Sequence, residues 1–192
     1  MKSKNKSQNK KRGDFFHIFI IGQRLPPLNA RSKIRAMKSN LTTLCYLERE
    51  EKWLMLHRDA KKNDINEGKW IGVGGHFEKE ESPDECLLRE VKEETGYTLN
   101  SFTFRGIVTF VSDNTQTEYM HIFTSNDFSG NEIRCTEGTL QWIEKDKIES
   151  LNVWEGDRIF LEMLKKNEPF FSLKLVYKNG FLSEKFLNGK AI

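Results

Sequence analysis

Residues 75–97 decide the fold and the chemistry of this chain, and they read GHFEKEESPDECLLREVKEETGY. Ser82, Pro83 and Glu85 predict a helix start, in which Ser82 is the N-cap and Glu85 reaches back to it. Gly96 predicts the helix end, because that position calls for a left-handed backbone. The segment is very acidic, and an acidic run is most often a solvated face.

Three carboxylates of this predicted helix share one face, since Glu90, Glu93 and Glu94 stand at i, i+3 and i+4. Like charges at these spacings repel by a few tenths of a kcal/mol per pair, so partners are expected. Arg89 is one partner, because it lies four residues from both Glu85 and Glu93. A single guanidinium cannot neutralise the whole set, whereas Mg²⁺ prefers carboxylate oxygens and substrate phosphates. The neighbouring apolar stripe is expected to comprise Leu87, Leu88 and Val91.

The spacing of the segment resembles the Nudix box, whose fixed places are filled here by Gly75, Glu81, Arg89, Glu90, Val91, Glu93, Glu94 and Gly96. Tyr97 departs from the pattern, because an aliphatic residue is usual at that place. The resemblance implies an α+β fold, an α/β/α sandwich with a mixed β-sheet flanked by helices. It covers about residues 38–170 and assigns residues 37–192 to a Nudix hydrolase domain.

The rest of the chain reads as strands with two further helices. Alternating or mostly apolar runs predict strands over residues 41–48, 53–58, 102–111, 118–124, 132–134 and 140–143. A short helix is predicted over residues 145–151, and a longer one over residues 157–166 with Ile159, Phe160, Met163 and Leu164 facing inward. Asn179 and Gly180 predict a tight hairpin between strands over residues 172–177 and 181–186.

Composition limits the classes of protein that fit. Of the 192 residues 37% are hydrophobic, enough for one ordinary core, and the formal net charge is +3. Residues 1–36 are basic, with Asp14 as their one acid, and we expect a disordered extension. A nucleic-acid-binding arm is the alternative that this charge allows, although no stable nucleic-acid partner is expected. Three cysteines without paired spacing predict neither a disulfide framework nor a zinc site, which favours the cytoplasm. No apolar run approaches the length that spans a bilayer.

The resemblance implies roles for individual residues of the box. Glu90, Glu93 and Glu94 would coordinate Mg²⁺, with Mn²⁺ as a substitute, and a carbonyl of the pair Gly74 and Gly75 would complete the ligand set. Glu81 would lie at the edge of the site, where Arg89 holds a glutamate in place. Glu137, before the strand predicted over residues 140–143, matches a downstream acid that serves as metal ligand or catalytic base. Its alternative is an ordinary loop glutamate.

Substrate residues are predicted outside the box. Trp154 and Asp157 match the positions at which MutT-like hydrolases stack the base and read its edge, although a buried Trp opening a helix explains the pattern equally well. Arg58, His57 and His76 are placed near the expected phosphate path. Ile71 stands where a base-reading Asn occurs in related enzymes, which puts a preference for 8-oxoguanine in doubt.

The sequence thus predicts a Mg²⁺-dependent hydrolase that converts a nucleoside triphosphate to a monophosphate and pyrophosphate, with 8-oxo-dGTP as a candidate substrate. One alternative is a Nudix hydrolase for another nucleoside diphosphate linked to a further moiety. A second, of another class, is a non-catalytic nucleotide-binding regulatory module. The expected partner is the nucleotide alone, and the protein is expected to be a monomer or homodimer.

Overall fold

The computed structural model describes residues 39–60, 65–113 and 115–192. The predicted extension, residues 1–36, lies outside them, so its disorder and the domain division remain predictions. In the described part the strands are β1 (Ser39–Arg49), β2 (Lys52–His57), β3 (Trp70–Ile71), β4 (Thr98–Ser112), β5 (Thr117–Ser129), β6 (Thr139–Glu144), β7 (Phe171–Lys178), β8 (Phe181–Leu187) and β9 (Lys190–Ala191). The helices are α1 (Pro83–Thr95), α2 (Asp157–Lys165) and a 3₁₀ helix (Lys145–Ser150).

The strands form one mixed sheet in the order β3-β2-β1-β5-β4-β7-β8-β9, and β6 also pairs with β2. The pairs β1 with β5 and β4 with β7 are parallel, while the other strand pairs are antiparallel. This mixed arrangement confirms the predicted α+β fold class. Because β1 is central, it connects the small β2-β3-β6 group with the larger group that starts at β5.

Strand β1 is buried on both faces, which places one helix on each side of the sheet. Leu44 and Tyr46 pack in the same cluster as Phe160 of α2. The alternate residues Cys45 and Leu47 pack in the cluster that contains Leu87 and Val91 of α1. Side chains alternate across a strand, so one apolar run serves both layers. The predicted sandwich follows from this alternation.

Both predicted hairpins are present. The first connects β1 and β2 through Glu50 and Glu51, which both have positive φ, at 50° and 58°. The second uses Asn179 at φ 52° and Gly180 at φ 82°, the left-handed pair that a tight hairpin turn requires. Asn179 and Gly180 therefore form the predicted turn.

Three structural predictions were wrong in detail. Residues 132–134 form no strand, because the Ile133 amide bonds the Thr95 carbonyl at the end of α1 instead of a neighbouring strand. Leu88 is 41% exposed and lies outside the α1 stripe. In α2, Leu161 is buried beside Phe160 and Leu164, whereas Ile159 and Met163 are only partly buried at the edge of that cluster. None of the described helices is long and apolar enough to cross a membrane.

Candidate active site

The ends of α1 are fixed by the residues that predicted them. The Glu85 amide donates to Ser82 Oγ at 3.2 Å, and the Ser82 amide donates to Glu85 Oε2 at 2.8 Å. These two bonds form a capping box, with Pro83 in the first turn. Gly96 follows the last residue at φ 79°. The capping box sets where the helix starts, and the packing of Leu87 and Val91 against β1 sets the direction of its acidic face.

Arg89 is the centre of the hydrogen-bond network on that face. Its Nε and Nη2 donate to the two carboxylate oxygens of Glu81 at 2.8 and 2.9 Å, and Nη2 also reaches the His76 carbonyl at 3.0 Å. Nη1 donates to Glu90 Oε1 at 2.7 Å and to Glu93 Oε2 at 3.3 Å. This fork holds the pKa of Glu81 at about 2, chiefly through its hydrogen bonds.

One expected partner of Arg89 is absent from this network. Glu85 was expected to pair with Arg89, but its carboxylate is used in the capping box with Ser82. Glu81, in the loop before the helix, takes its place. The hydrogen bonds of the capping box therefore determine the partner of Glu85, although its spacing of four residues from Arg89 would allow an ion pair.

Glu94 points into the protein and differs from the other box acids. The residue is 6% exposed, and its Oε2 accepts from the Gly74 amide at 2.8 Å. Its Oε1 is buried without a hydrogen-bond partner among the described residues. Burial raises the pKa of Glu94 to about 8, helped by the charges of Glu137 and Glu90. Burial also raises the pKa of Glu90, against the opposing effect of Arg89. The charges of Glu90, Glu94 and Glu137 therefore interact across a poorly solvated space.

The glycine pair lies directly against these acids. The Gly74 amide binds Glu94, while a Cβ atom on Gly75 would lie 2.6 Å from Cδ of Glu90. The Gly75 carbonyl accepts from the Thr43 amide of β1 at 2.9 Å. The Gly75 carbonyl thus joins the box to β1, and the Gly74 amide binds Glu94.

A single cavity of about 630 Å³ opens beside this network. Its walls include both box residues and predicted substrate residues, namely Arg58, Ile71, Gly74, Gly75, His76, Arg89, Glu90, Glu137, Trp154 and Asp157. Glu93 and Glu94 are not in its walls, and neither is His57, which stacks on Trp70 at 4.6 Å and pairs with Asp59 at 3.3 Å. The cavity joins residues that lie far apart in sequence.

Glu137 enters the site from the loop before β6. Its carboxylate pairs with Nη1 of Arg58, a buried residue that follows β2. The Glu137 charge contributes to the raised pKa values of Glu94 and Glu90. The structure therefore brings this downstream acid to the box, and Arg58 offsets part of its charge.

Trp154 and Asp157 also line this cavity. Trp154 Nε1 donates to Asn66 Oδ1 at 2.8 Å, and the indole packs edge-on against Phe110 and Tyr177. Trp154 thus has both proposed attributes, a core contact and a face in the cavity wall. Asp157 is 6% exposed, and burial raises its pKa to about 7, with Glu118 adding to the shift.

Several cavity residues were missed by the sequence analysis. The most informative are Glu118 and Met120 of β5, which line the cavity together with Thr42 of β1. The available signal was the alternation along β5, because residues two apart share one face of a strand. Without the pairing of β1 and β5, the face that meets the cavity could not be chosen.

The donor chemistry of the box fits a hard divalent cation. Glu94 offers a buried oxygen without a partner, and Glu90 and Glu137 add carboxylates within electrostatic range. In the described residues, however, no three His, Cys, Asp or Glu side chains already stand in a metal-binding arrangement. Two of the box acids, Glu90 and Glu93, are paired with Arg89. Oxygen-rich acids of this kind suit Mg²⁺.

The fold and site together define a hydrolase acting on phosphoric anhydrides. The family model for the NUDIX domain matches residues 38–164, more than half of the chain, so the chain belongs to the Nudix family. It is MutT-like, and the family generally uses divalent metal ions and binds nucleotides.

The chain is similar to two curated relatives and to a solved structure. It is 29% identical over 144 residues to the uncharacterized Nudix hydrolase YvcI of Bacillus subtilis, covering 72% of this chain and 87% of the relative. It is 28% identical over 111 residues to the oxidized purine nucleoside triphosphate hydrolase of Danio rerio, covering 57% and 71%. A crystal structure of a MutT protein from Bacillus halodurans superposes with a TM-score of 0.68 at 23% identity, covering 78% of this chain and 97% of that one.

Proposed function

We propose that this protein hydrolyses a nucleoside triphosphate to a nucleoside monophosphate and pyrophosphate, with Mg²⁺ as the cofactor. The observation that carries the proposal is that one cavity is lined both by Arg89 and Glu90 of the acidic helix and by Trp154 and Asp157. A nucleoside triphosphate fits both sets of residues, with its polyphosphate beside Arg89 and Glu90 and its base beside Trp154 and Asp157.

Glu90, Glu93 and Glu94 would hold Mg²⁺, with Glu137 and a glycine-pair carbonyl from Gly74 or Gly75 completing the set. When bound, the cation supplies positive charge to the phosphate oxygens and lowers the pKa of a coordinated water. Mn²⁺ would act as a substitute, since its oxygen-ligand preferences are similar.

The protein's own groups perform the positioning. Arg89 binds both oxygens of Glu81 and one oxygen of Glu90, so it holds the acidic loop and helix in register. Arg58 and His76 line the same cavity, and the Arg58 guanidinium, which pairs with Glu137, would also offset negative charge on the phosphates. Glu137 is either a ligand or the base that accepts a proton from water. Glu137→Gln separates these roles, because loss of the base removes the acidic limb of the pH–rate profile, while loss of a ligand weakens Mg²⁺ binding.

Trp154 would stack on the base and Asp157 would accept from its edge. Stacking of this kind is worth about 1–3 kcal/mol, which corresponds to a change of roughly 5- to 150-fold in affinity. The Danio rerio relative, an oxidized purine nucleoside triphosphate hydrolase, makes 8-oxo-dGTP the first substrate to test. Ile71 in the cavity wall offers no hydrogen bond, so unmodified purine triphosphates belong in the same panel.

The test is a panel of nucleoside triphosphates, nucleotide sugars, ADP-ribose and dinucleoside polyphosphates, assayed with Mg²⁺ for released monophosphate and pyrophosphate. Turnover of a triphosphate to these two products supports the proposal, and cleavage of the other substrates alone would favour the alternative Nudix activity. Tight nucleotide binding without any turnover would favour the regulatory module. Three free and buried cysteines support a cytoplasmic location, which cell fractionation tests.

A further inference from the structure

Glu118 of β5 is held in a defined orientation beside the cavity. Its Oε1 accepts a hydrogen bond of 2.8 Å from Oγ1 of Thr42, a residue of β1 that is itself buried. The other oxygen, Oε2, has no hydrogen-bond partner in the part of the chain that the structure describes. Both residues line the cavity, so the acceptor that remains faces a space large enough for a ligand.

Asp157 is a second carboxylate in the same cavity that could accept a hydrogen bond from a ligand. More than nine-tenths of this residue is buried, it lines the cavity, and no described residue donates a hydrogen bond to its carboxylate. The Glu118 charge acts on Asp157, so the two carboxylates lie within electrostatic range. Neither Oε2 of Glu118 nor the carboxylate of Asp157 is among the buried atoms without a partner, so both acceptors are open to the cavity, where a ligand could donate to them.

The cavity that contains the two carboxylates has apolar and aromatic side chains as well as polar ones in its walls. Phe110, Met120 and Trp154 line the same cavity, and Lys69 is placed 4.9 Å from the centre of the Trp154 ring, where it also lowers the pKa of Asp157. Such walls and acceptors would bind a flat ligand that has apolar faces and N–H donors along one edge. A guanine-type edge fits, because its ring N–H and its exocyclic amino group are adjacent donors.

We propose that Glu118 is a specificity-determining residue, which accepts a hydrogen bond from the exocyclic amino group of the base while Asp157 accepts from the adjacent ring N–H. Thr42 is its positioning residue. This inference rests on the proposed function for its nucleotide, but it adds a base-reading residue from β5. The alternative is that Glu118 serves only to satisfy the buried Thr42 hydroxyl, in which case it does not affect base choice.

The experiment compares guanine with hypoxanthine, which differ by the 2-amino group alone. We would measure kcat/KM for dGTP and dITP with Mg²⁺, and the binding of dGMP and dIMP by calorimetry without metal. In the native protein the guanine nucleotide is expected to be favoured by at least about tenfold in both assays, because a bound base would remove water from the Glu118 acceptor and hypoxanthine would leave that acceptor unpaired.

Variants assign that preference to Glu118. Glu118→Met should reduce the guanine-to-hypoxanthine ratio to within about twofold of one, and Glu118→Gln should retain part of it because its amide oxygen still accepts. Thr42→Val should lower the ratio by a smaller factor, since it removes only the bond that orients Glu118. Glu155→Met is the matched control, because Glu155 is exposed beside Trp154 and is not in the cavity wall. Thermal melts confirm that each variant is folded.

The outcomes distinguish this inference from the proposed function. If no triphosphate is cleaved but dGMP binding shows the preference and Glu118→Met removes it, the hydrolase proposal fails and the inference stands. If triphosphates are cleaved and the folded Glu118→Met variant keeps the native ratio, the inference is overturned alone. Absence of both turnover and nucleotide binding overturns both.

Discussion

Arg89 grips both carboxylate oxygens of Glu81, with Nε to Oε1 at 2.8 Å and Nη2 to Oε2 at 2.9 Å. This bidentate pair joins the loop before α1 to the helix, and the same guanidinium also binds the His76 carbonyl. Because its third nitrogen reaches Glu90, Arg89 couples the loop to an acid in the cavity wall. The geometry makes Arg89 a positioning residue.

Arg89→Lys should therefore lower kcat by about 10- to 100-fold with a smaller change in KM. A lysine keeps the charge, but it cannot bind two oxygens of Glu81 and one of Glu90 with a planar fork. Steady-state kinetics on the best triphosphate provide the measurement. Arg105→Lys is the control, since Arg105 is half-buried, bonds Asn167 and the Glu168 carbonyl, and does not line the cavity. Equal kinetics for the two variants would contradict the role of Arg89.

Gly75→Ala should remove activity while leaving the fold nearly intact. A Cβ at this position would lie 2.6 Å from Cδ of Glu90, and that flexible carboxylate can move aside. We expect a fall of at least about tenfold in kcat, with the melting temperature within a few degrees of the native value. Gly74→Ala is the contrasting variant, because its Cβ would meet the Thr43 backbone and Gly74 has φ 150°, so it should mainly destabilise the fold. Unchanged kcat in Gly75→Ala would rule out a close role for Glu90.

Asp157→Asn should raise stability more at pH 8 than at pH 5 in the metal-free protein. The pKa of Asp157 is about 7 in the folded state because of burial, against 3.8 as its ordinary value. Between these values the folded protein binds the proton and the unfolded chain does not, so native stability falls as pH rises. The Asn variant lacks this loss, and the difference from pH 5 to pH 8 should be about 2 kcal/mol. Denaturant unfolding at both pH values measures it, and a pH-independent difference would show that Asp157 titrates normally.

The sequence predicts where the site lies better than it predicts the contacts within the site. Ser82, Glu85 and Gly96 act through bonds to their own backbone neighbourhood, so local spacing was sufficient to predict both ends of α1. The partner of Arg89 could not be predicted in this way, because the capping box withdraws Glu85 and the fold supplies Glu81 from the preceding loop.

Long-range strand pairing explains most of what was missed. Glu118 and Thr42 meet only because β5 lies parallel to β1, with Asn40 opposite Glu118 in the register. Nothing in either segment alone specifies that pairing. Residues 132–134 were assigned to a strand from their composition, yet their backbone is used at the end of α1, as the bond from Ile133 to Thr95 shows. A tertiary partner therefore overrode the local preference of residues 132–134, whereas β1 and β5 are strands as predicted and only their pairing could not be foreseen.

The most direct test of the central claim is the rate of pyrophosphate release from the best triphosphate as Mg²⁺ is titrated, in the native protein and in Glu93→Gln. Glu93 has a side chain that is 62% exposed, so the amide should leave folding unchanged. Glu80→Gln is the control, because Glu80 is an exposed acid of the same box and is absent from the cavity wall. We predict saturable activation of the native protein and of the control, and a rate at least about 100-fold lower for folded Glu93→Gln, a barrier increase of about 2.7 kcal/mol. Activity of Glu93→Gln within a few-fold of native, or hydrolysis indifferent to Mg²⁺, would contradict the account.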